Sequence, residues 1–224
     1  MEKLSNSLLN MTVVLTATAI VTGGLLAFVN DVTKEPIAEV NKQATTDGIV
    51  KVMGGNPNIK TDADTITIKI GEDDKTFVVY NVTDDKGNAI GNAVESSTMG
   101  FGGELKVLTG FDAEGNILGY TILGHAETPG LGAKATDWFQ KGGKGDIIGK
   151  NPAKNNLMVS KDEKDGKKGE VDAITASTIT SRAFLKTVNE AYEASAKSAP
   201  ATDCNKQPTV AAADSVNANV EEAK

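Results

Sequence analysis

The sequence predicts an α+β fold in which a mostly antiparallel sheet with flanking helices is preceded by one transmembrane helix. Three observations support this class. Residues 4–30 contain no charged residue, short apolar runs separated by turn sequences fill residues 65–123, and residues 175–196 have the spacing of an amphipathic helix. Strands that are grouped together, and do not alternate with helices one by one, are typical of α+β proteins.

The apolar segment 8–29 is predicted to be the transmembrane helix. About 20 apolar residues suffice to cross the hydrocarbon core of a bilayer as a helix. A cleaved signal peptide is the alternative, but its apolar region would span only about 7–15 residues and end at a small-residue cleavage site. No convincing site follows this segment. Because Lys3 lies on the short N-terminal side, the positive-inside rule predicts that residues 1–7 are cytoplasmic and that the chain beyond residue 30 is outside.

The elements beyond the anchor are predicted in order. Helical spacing over 31–53 begins near Pro36 and ends at a glycine pair. Residues 112–116 have the sequence of a hairpin turn, and 124–149 is a glycine-rich segment with one short amphipathic piece. The last helix has an apolar face that includes Ile179. Strands are predicted over residues 65–70, 76–82, 89–94, 105–111 and 117–123.

Composition limits the domain organisation and the function. The 224 residues suffice for one folded domain, predicted over 30–197, and a tail over 198–224 that is predicted to be disordered because it has little bulky apolar content. A net charge of −7 argues against a nucleic-acid partner, which requires a clustered basic face. Cys204 is the only cysteine, so neither an intramolecular disulfide nor a thiolate metal cluster can form.

Five hydroxyl side chains follow Asp172 immediately before the last predicted helix: Thr175, Ser177, Thr178, Thr180 and Ser181. Such residues often cap helices, because their oxygens accept hydrogen bonds from the first N–H groups, and Thr175 or Asp172 is expected to cap this one. The N-terminus of a helix also carries about half a positive charge and favours a phosphate, and a phosphate esterified to the Thr178 hydroxyl would lie where those N–H donors converge. An unactivated threonine is a poor nucleophile, so attachment would require another enzyme.

This pattern, Asp-x-x-Thr-x-(Ala/Ser)-Thr-x-Thr-Ser, resembles the flavinylation motif of the FMN-binding domain family. Together with the sequence of 127–132 and the anchor, it makes the chain similar to the G subunits of Rnf electron-transport complexes. The resemblance implies that a flavin transferase moves FMN from FAD to Thr178 as a phosphoester, with Asp172 as part of its recognition motif. The family usually has Ser-Gly-Ala-Thr where this chain has Thr-Ala-Ser-Thr over 175–178.

The segment 127–132 is the second part of the predicted site. Pro129 fixes one backbone dihedral, and the glycines of the segment remove side chains, so the backbone can approach a flat ligand closely. By resemblance, the flavin ring is expected between this segment and the glycine cluster 100–103, with Glu127 and Thr128 as polar contacts. The predicted FMN-binding residues are Thr178, Asp172, Thr175, Ser177, Thr180, Ser181, Glu127, Thr128, Gly130, Leu131 and Gly132.

No catalytic residue or metal site is predicted. The single histidine, His125, lacks carboxylate or cysteine partners at ligand spacing and is predicted to end a strand. The hypothesis from the resemblance is an electron carrier with covalent FMN in an ion-translocating ferredoxin:NAD oxidoreductase complex of the cytoplasmic membrane, with its domain on the outer or periplasmic face. Its partners would be the other Rnf subunits, the membrane and a flavin transferase.

Three alternatives remain open on the sequence. One is a secreted small-ligand-binding protein, which requires cleavage of the apolar segment as a signal peptide. The C subunit of the sodium-translocating NADH:quinone reductase shares the domain and the threonine linkage, but it is usually longer between anchor and flavin core. The third alternative is a membrane-tethered binding module without a cofactor, in which residues 172–181 only cap a helix.

Overall fold

The computed structural model describes residues 8–55, 59–70, 73–160 and 169–198. The predictions for the N-terminus 1–7 and for the tail beyond Ser198 lie outside these residues. The helices and strands are α1 (Leu8–Val52), β1 (Lys60–Ile70), β2 (Asp73–Thr83), β3 (Ala89–Met99), β4 (Glu104–Asp112), β5 (Ile117–His125), α2 (Ala135–Trp138), β6 (Met158–Ser160), β7 (Glu170–Asp172) and α3 (Thr178–Ser198), with a 3₁₀ turn over Gly132–Lys134 before α2.

The anchor and the helix after it form one continuous helix of 45 residues, α1, with Pro36 inside it. The predicted helix start near Pro36 is therefore wrong, and the predicted boundary at residue 30 falls within α1. The composition changes there from apolar to charged, but good helix formers such as Glu35 and Ala38 follow. The backbone therefore stays helical, although the side chains that the helix exposes change from apolar to charged.

Part of α1 is long and apolar enough to cross a bilayer. An 18-residue window within Asn10–Val52 has a mean hydropathy of 2.1, and none of it is buried against the rest of the chain. Two threonine hydroxyls of this part are satisfied within the helix: Thr18 donates to the Val14 carbonyl at 3.0 Å and Thr22 to the Thr18 carbonyl at 2.8 Å. These bonds remove donors that hydrocarbon would leave unsatisfied.

The predicted α+β class is confirmed by a five-stranded antiparallel sheet of order β1-β2-β3-β4-β5, with helices on its faces. A separate parallel pair joins β6 and β7. The strands extend beyond the predicted ranges, most clearly β1, whose polar residues 60–64 pair with residues 79–83 of β2. Apolar alternation does not detect this part, because an exposed edge strand needs no apolar side chain to form ladder hydrogen bonds.

Each face of the sheet is covered by one helix. On one face α3 inserts Phe184, whose ring stacks on Phe139 at 4.3 Å between centroids and meets Tyr120 edge-on at 4.8 Å. On the other face the last turns of α1 bury Ile49 and Val52 against the strands. The main core therefore lies under α3, and the sheet ties the end of the anchor helix to the domain.

The direction of α1 across the sheet orients the domain relative to the apolar segment. Asn41 shares a cavity with the first residue of β4, Gly48 packs against Leu108, and Val52 covers Gly110 further along the strand. Followed back towards the apolar segment, α1 leaves the domain at the edge where β4 begins and β5 ends. The loops before β4 and after β5 lie at that same edge.

Candidate functional site

The hydroxyl-rich motif forms a tight turn between β7 and α3. α3 begins at Thr178, three residues later than predicted, and the Ser177 carbonyl accepts the first helical hydrogen bond, from the Ser181 N–H at 3.0 Å. Ser177 is therefore the N-cap residue, and the expectation that Asp172 or Thr175 caps the helix is wrong. The physical reason is Ala176, whose φ of 63° reverses the chain just before the helix.

Ser181 fixes this turn from inside the helix. Its hydroxyl donates to the Ser177 carbonyl at 2.9 Å and accepts from the Ile174 N–H at 2.9 Å, and the side chain is fully buried. Its hydrogen bonds are used within the protein, so Ser181 supports the shape of the motif.

Thr178, half-buried, is the first residue of α3. The N–H groups of the first helical turn have no carbonyl partner within the helix, and the helix dipole adds positive potential at this end. Thr178 lines two separate cavities, of about 310 Å³ and 510 Å³. A group attached to its hydroxyl could therefore extend into either of them.

The smaller cavity, here called the apolar cavity, brings together the two predicted parts of the site. Exposed apolar side chains surround its mouth: Phe101, Leu131 and Ile179 are 71%, 41% and 55% exposed. Ile179 thus points away from the core, contrary to the prediction. The lining residues are Phe101, Glu127, Thr128, Leu131, Gly132, Ala176, Ser177, Thr178, Ile179 and Thr180.

Glu127 connects the elements around the apolar cavity and is only 5% exposed. One carboxylate oxygen accepts hydrogen bonds from the N–H groups of Phe101 at 2.8 Å and Gly102 at 3.4 Å. The other accepts from the Thr180 hydroxyl at 2.8 Å. The carboxylate therefore holds the loop before β4, the loop after β5 and the first turn of α3 in one arrangement.

The position of a flavin ring between the two glycine loops stays a prediction: the loops pack directly on each other at their glycines, and both also line the apolar cavity. A Cβ at Gly100 would collide with the Glu127 carboxylate, and one at Gly102 with the Ala126 carbonyl. Gly132 is similarly constrained, since a Cβ there would lie 2.9 Å from the Thr180 hydroxyl. The glycines let the backbones of these loops approach each other closely. The open space of the apolar cavity lies beside the loops, next to α3.

The larger cavity, here called the Lys144 cavity, lies on the other side of Thr178. The Trp138 indole N–H donates to the Asp172 carbonyl at 2.9 Å, and the Lys144 ammonium lies 5.8 Å from the centre of the Trp138 ring. The lining residues are Trp138, Lys144, Val159, Ser160, Asp172, Ala173, Ile174, Thr175 and Thr178. Asp172 and Thr175 of the motif thus contribute to this cavity and not to the apolar one.

Other predicted residues take supporting positions. Gly130 does not line either cavity; its φ of 75° permits the turn in which the Thr128 carbonyl accepts the Leu131 N–H at 3.1 Å. His125 ends β5 as predicted, and its Nδ1 accepts the Glu127 N–H at 3.3 Å. Sequence reasoning missed Phe101 and Lys144 as lining residues, although each lies within a glycine-rich run that brings the backbone into close contact.

These residues fit an FMN group. The apolar cavity offers aliphatic and aromatic walls for a flat ring, and the described residues that line it include no cation. The helix N-terminus at Thr178 favours an anion such as a phosphate. The two requirements of FMN, an apolar surface for the ring and donors for the phosphate, are met on either side of a single hydroxyl.

Two family models match the chain. The FMN-binding domain matches residues 100–193, and the RnfG N-terminal region matches residues 1–49. The first match includes every residue that lines the apolar cavity and the Lys144 cavity, and the second includes the apolar part of α1.

Relatives match along most of their length. The chain is 36% identical over 171 residues to the G subunit of the Na(+)-translocating ferredoxin:NAD(+) oxidoreductase complex of Acetobacterium woodii, covering 73% of this chain and 80% of that protein. It is 31% identical over 198 residues to the G subunit of the proton-translocating ferredoxin:NAD(+) oxidoreductase complex of Clostridium ljungdahlii, covering 86% and 94%. The crystal structure of Shewanella oneidensis NqrC is similar in fold, with a TM-score of 0.54 and 17% identity over 69% of this chain and 93% of that one.

Proposed function

The chain belongs to the G subunits of ion-translocating oxidoreductase (Rnf) complexes, and we propose that it carries FMN as a phosphoester on Thr178. It has an FMN-binding domain and serves its complex as an electron-transfer subunit. The observation that carries the proposal is the position of Thr178, at the positive end of α3 and between two cavities of different character.

Attachment of the flavin would be a phosphoryl transfer from FAD. The bond between the Thr178 oxygen and phosphorus forms as the pyrophosphate bond of FAD breaks, AMP leaves, and the hydroxyl proton passes to a base of a flavin transferase. The chain contributes the acceptor and its setting: Ser177 caps the helix, and Ser181 holds the turn that presents Thr178 at the surface.

The protein would orient the cofactor through contacts on both sides of Thr178. Bound FMN supplies redox chemistry that amino-acid side chains lack. Leu131, Ile179 and Phe101 would cover the ring in the apolar cavity and limit its contact with water. Glu127 would act as a positioning residue, since its two oxygens are already engaged in holding the walls of the cavity together.

The anchor supports electron transfer with membrane-embedded subunits of the complex. The apolar cavity lies at the edge of the sheet from which α1 leaves towards its apolar segment, and the helical rise puts Asn41 only about 17 Å along the axis from Asn30. We place the domain on the outer face of the cytoplasmic membrane, because Lys3 precedes the apolar segment. A covalent linkage would prevent loss of FMN where the cell could not recover it.

Membership in the G-subunit family favours this function over that of the C subunit of the sodium-translocating NADH:quinone reductase. A cofactor-free binding module is the other competitor. In-gel flavin fluorescence after denaturing electrophoresis separates the proposed flavoprotein from the cofactor-free module, with the full chain co-expressed with a flavin transferase. We expect a fluorescent band in the parent and in Thr136→Ala, at an exposed threonine outside the motif and both cavities, and none in Thr178→Ala. A dark parent, beside a fluorescent control acceptor protein, would favour the cofactor-free module.

A further inference from the structure

We propose that Lys144 binds the phosphate through which FMN is attached to Thr178; this rests on the proposed function. The two cavities that meet at Thr178 differ in charge. Among the described residues that line them, Lys144 is the only cation, and it belongs to the larger cavity. The apolar cavity suits the flavin ring. The anionic phosphate is then expected at Thr178, where the two cavities meet, on the side that faces Lys144.

The backbone around Lys144 is held in place independently of any ligand. The Asp146 carboxylate accepts hydrogen bonds from the Gly142 N–H at 2.7 Å and the Ile148 N–H at 2.8 Å, which closes the loop. Gly145 packs so closely on the motif that a Cβ there would lie 2.7 Å from the Asp172 carbonyl oxygen. The loop therefore presents Lys144 at a fixed point beside the strand that leads to Thr178.

The Trp138 ring makes a cation–π contact with the Lys144 ammonium group. The Lys144 Nζ lies 5.8 Å from the ring centroid, and the same indole donates its N–H to the Asp172 carbonyl at 2.9 Å. An exposed cation–π contact is weak, so it keeps the ammonium nearby without fixing its position. A phosphate at the start of α3 offers a charge-assisted hydrogen bond, which is about twice as strong as a neutral one.

Asp172 is the other charged residue that lines this cavity. Its carboxylate would repel a phosphodiester, which bears one negative charge at neutral pH. Lys144 would offset that repulsion, together with the free N–H groups at the start of α3. The side chain of Lys144 is exposed and contributes little to packing of the core. Binding of the phosphate therefore accounts for a cation at this position, whereas core packing does not.

Lysine acylation of the full chain in detergent tests the assignment. The flavinylated parent and Thr178→Ala are treated briefly with an amine-reactive ester, and the modified lysines are quantified by mass spectrometry. We expect Lys144 to be acylated about three- to tenfold more slowly in the flavinylated parent, because a lysine engaged by the phosphate is less available to the ester. Exposed Lys141, in the same loop but outside both cavities, serves as the internal control with equal rates.

Three variants distinguish an effect of the Lys144 charge from shielding of Lys144 by the bound flavin. The rate of FMN transfer should fall about three- to tenfold in Lys144→Gln and stay near the parental rate in Lys144→Arg and Lys141→Gln. Equal Lys144 acylation with and without flavin, or equal transfer rates in Lys144→Gln and Lys144→Arg, would overturn the assignment. Absence of covalent flavin from the parent itself, with a control acceptor loaded, would instead overturn the proposed function on which it rests.

Discussion

Thr180 donates its hydroxyl hydrogen bond to the Glu127 carboxylate at 2.8 Å, and both side chains are buried, at 1% and 5% exposure. This bond joins the first turn of α3, two residues after Thr178, to a loop that is 53 residues away in sequence. It explains how two motifs far apart in the chain come to form one cavity.

Loss of the Glu127 carboxylate should destabilise the domain. Glu127→Ala leaves two backbone N–H groups and one hydroxyl without their acceptor, and each buried unsatisfied donor costs about 1–3 kcal/mol. We expect a loss of about 2–4 kcal/mol in the free energy of unfolding of the full chain in detergent, measured with urea. Glu104→Ala, at an exposed acid nearby, should change it by less than about 0.5 kcal/mol. Equal effects of the two changes would contradict the role assigned to Glu127.

Glycine at position 176 should stabilise the protein. Ala176 has a φ of 63°, which costs an L-residue about 1–2 kcal/mol, whereas the extra freedom of glycine in the unfolded chain costs about 0.4–1 kcal/mol. We expect Ala176→Gly to raise the unfolding free energy by about 0.5–1 kcal/mol. Ala173→Gly is the matched control, in the same turn but without positive φ, and should lower it. A loss of stability in both variants would show that the turn is not left-handed at Ala176.

The contact between α1 and the sheet depends on glycines. A Cβ at Gly119 would lie 3.1 Å from both the Cα and the carbonyl oxygen of Val52, so the helix end would have to move. We expect Gly119→Ala to lower the unfolding free energy by about 1–3 kcal/mol. Gly124→Ala, on the same strand with no atom within 4 Å of the new Cβ, should leave it within about 0.5 kcal/mol. Equal stability of the two variants would argue against this packing.

The exposed apolar mouth should matter for electron transfer and not for folding. Phe101 and Ile179 are 71% and 55% exposed, so Phe101→Ser and Ile179→Ser should change the unfolding free energy by no more than about 0.5 kcal/mol. In the assembled complex we expect flavin reduction to slow roughly five- to tenfold, the effect of losing a contact worth about 1 kcal/mol or more. Leu118→Ser, 39% exposed at the far end of β5, is the control. Parental rates of flavin reduction in all three variants would contradict a role of these exposed apolar residues in electron transfer.

The sequence predicted the fold class well because the informative signals are local. Alternating residues predicted the five strands, and the run of uncharged residues predicted the apolar segment of α1. The polar first half of β1 was not predicted, because its pairing with β2 is set by the partner strand. The continuity of α1 was not predicted either, because a proline inside a helix removes one hydrogen bond but does not always end the helix.

The site was predicted less completely, since its geometry depends on long-range contacts. The motif around Thr178 and the loop containing Glu127 were both identified, and the structure brings them to one cavity. The three-residue error in the start of α3 arose because Ala176, at positive φ, has no distinctive local sequence signal. Lys144 was missed because its proximity to Thr178 arises only when residues 142–145 pack against β7.

Covalent FMN on Thr178 is tested by peptide mass spectrometry of the chain purified from co-expression with a flavin transferase. Trypsin should release residues 169–182, which contain every hydroxyl of the motif. We expect a peptide heavier by FMN minus one water, with fragment ions that assign the added mass to Thr178, and an unmodified peptide from Thr178→Ala. An unmodified parental peptide, with a control acceptor flavinylated in the same cells, or added mass on another residue, would contradict it.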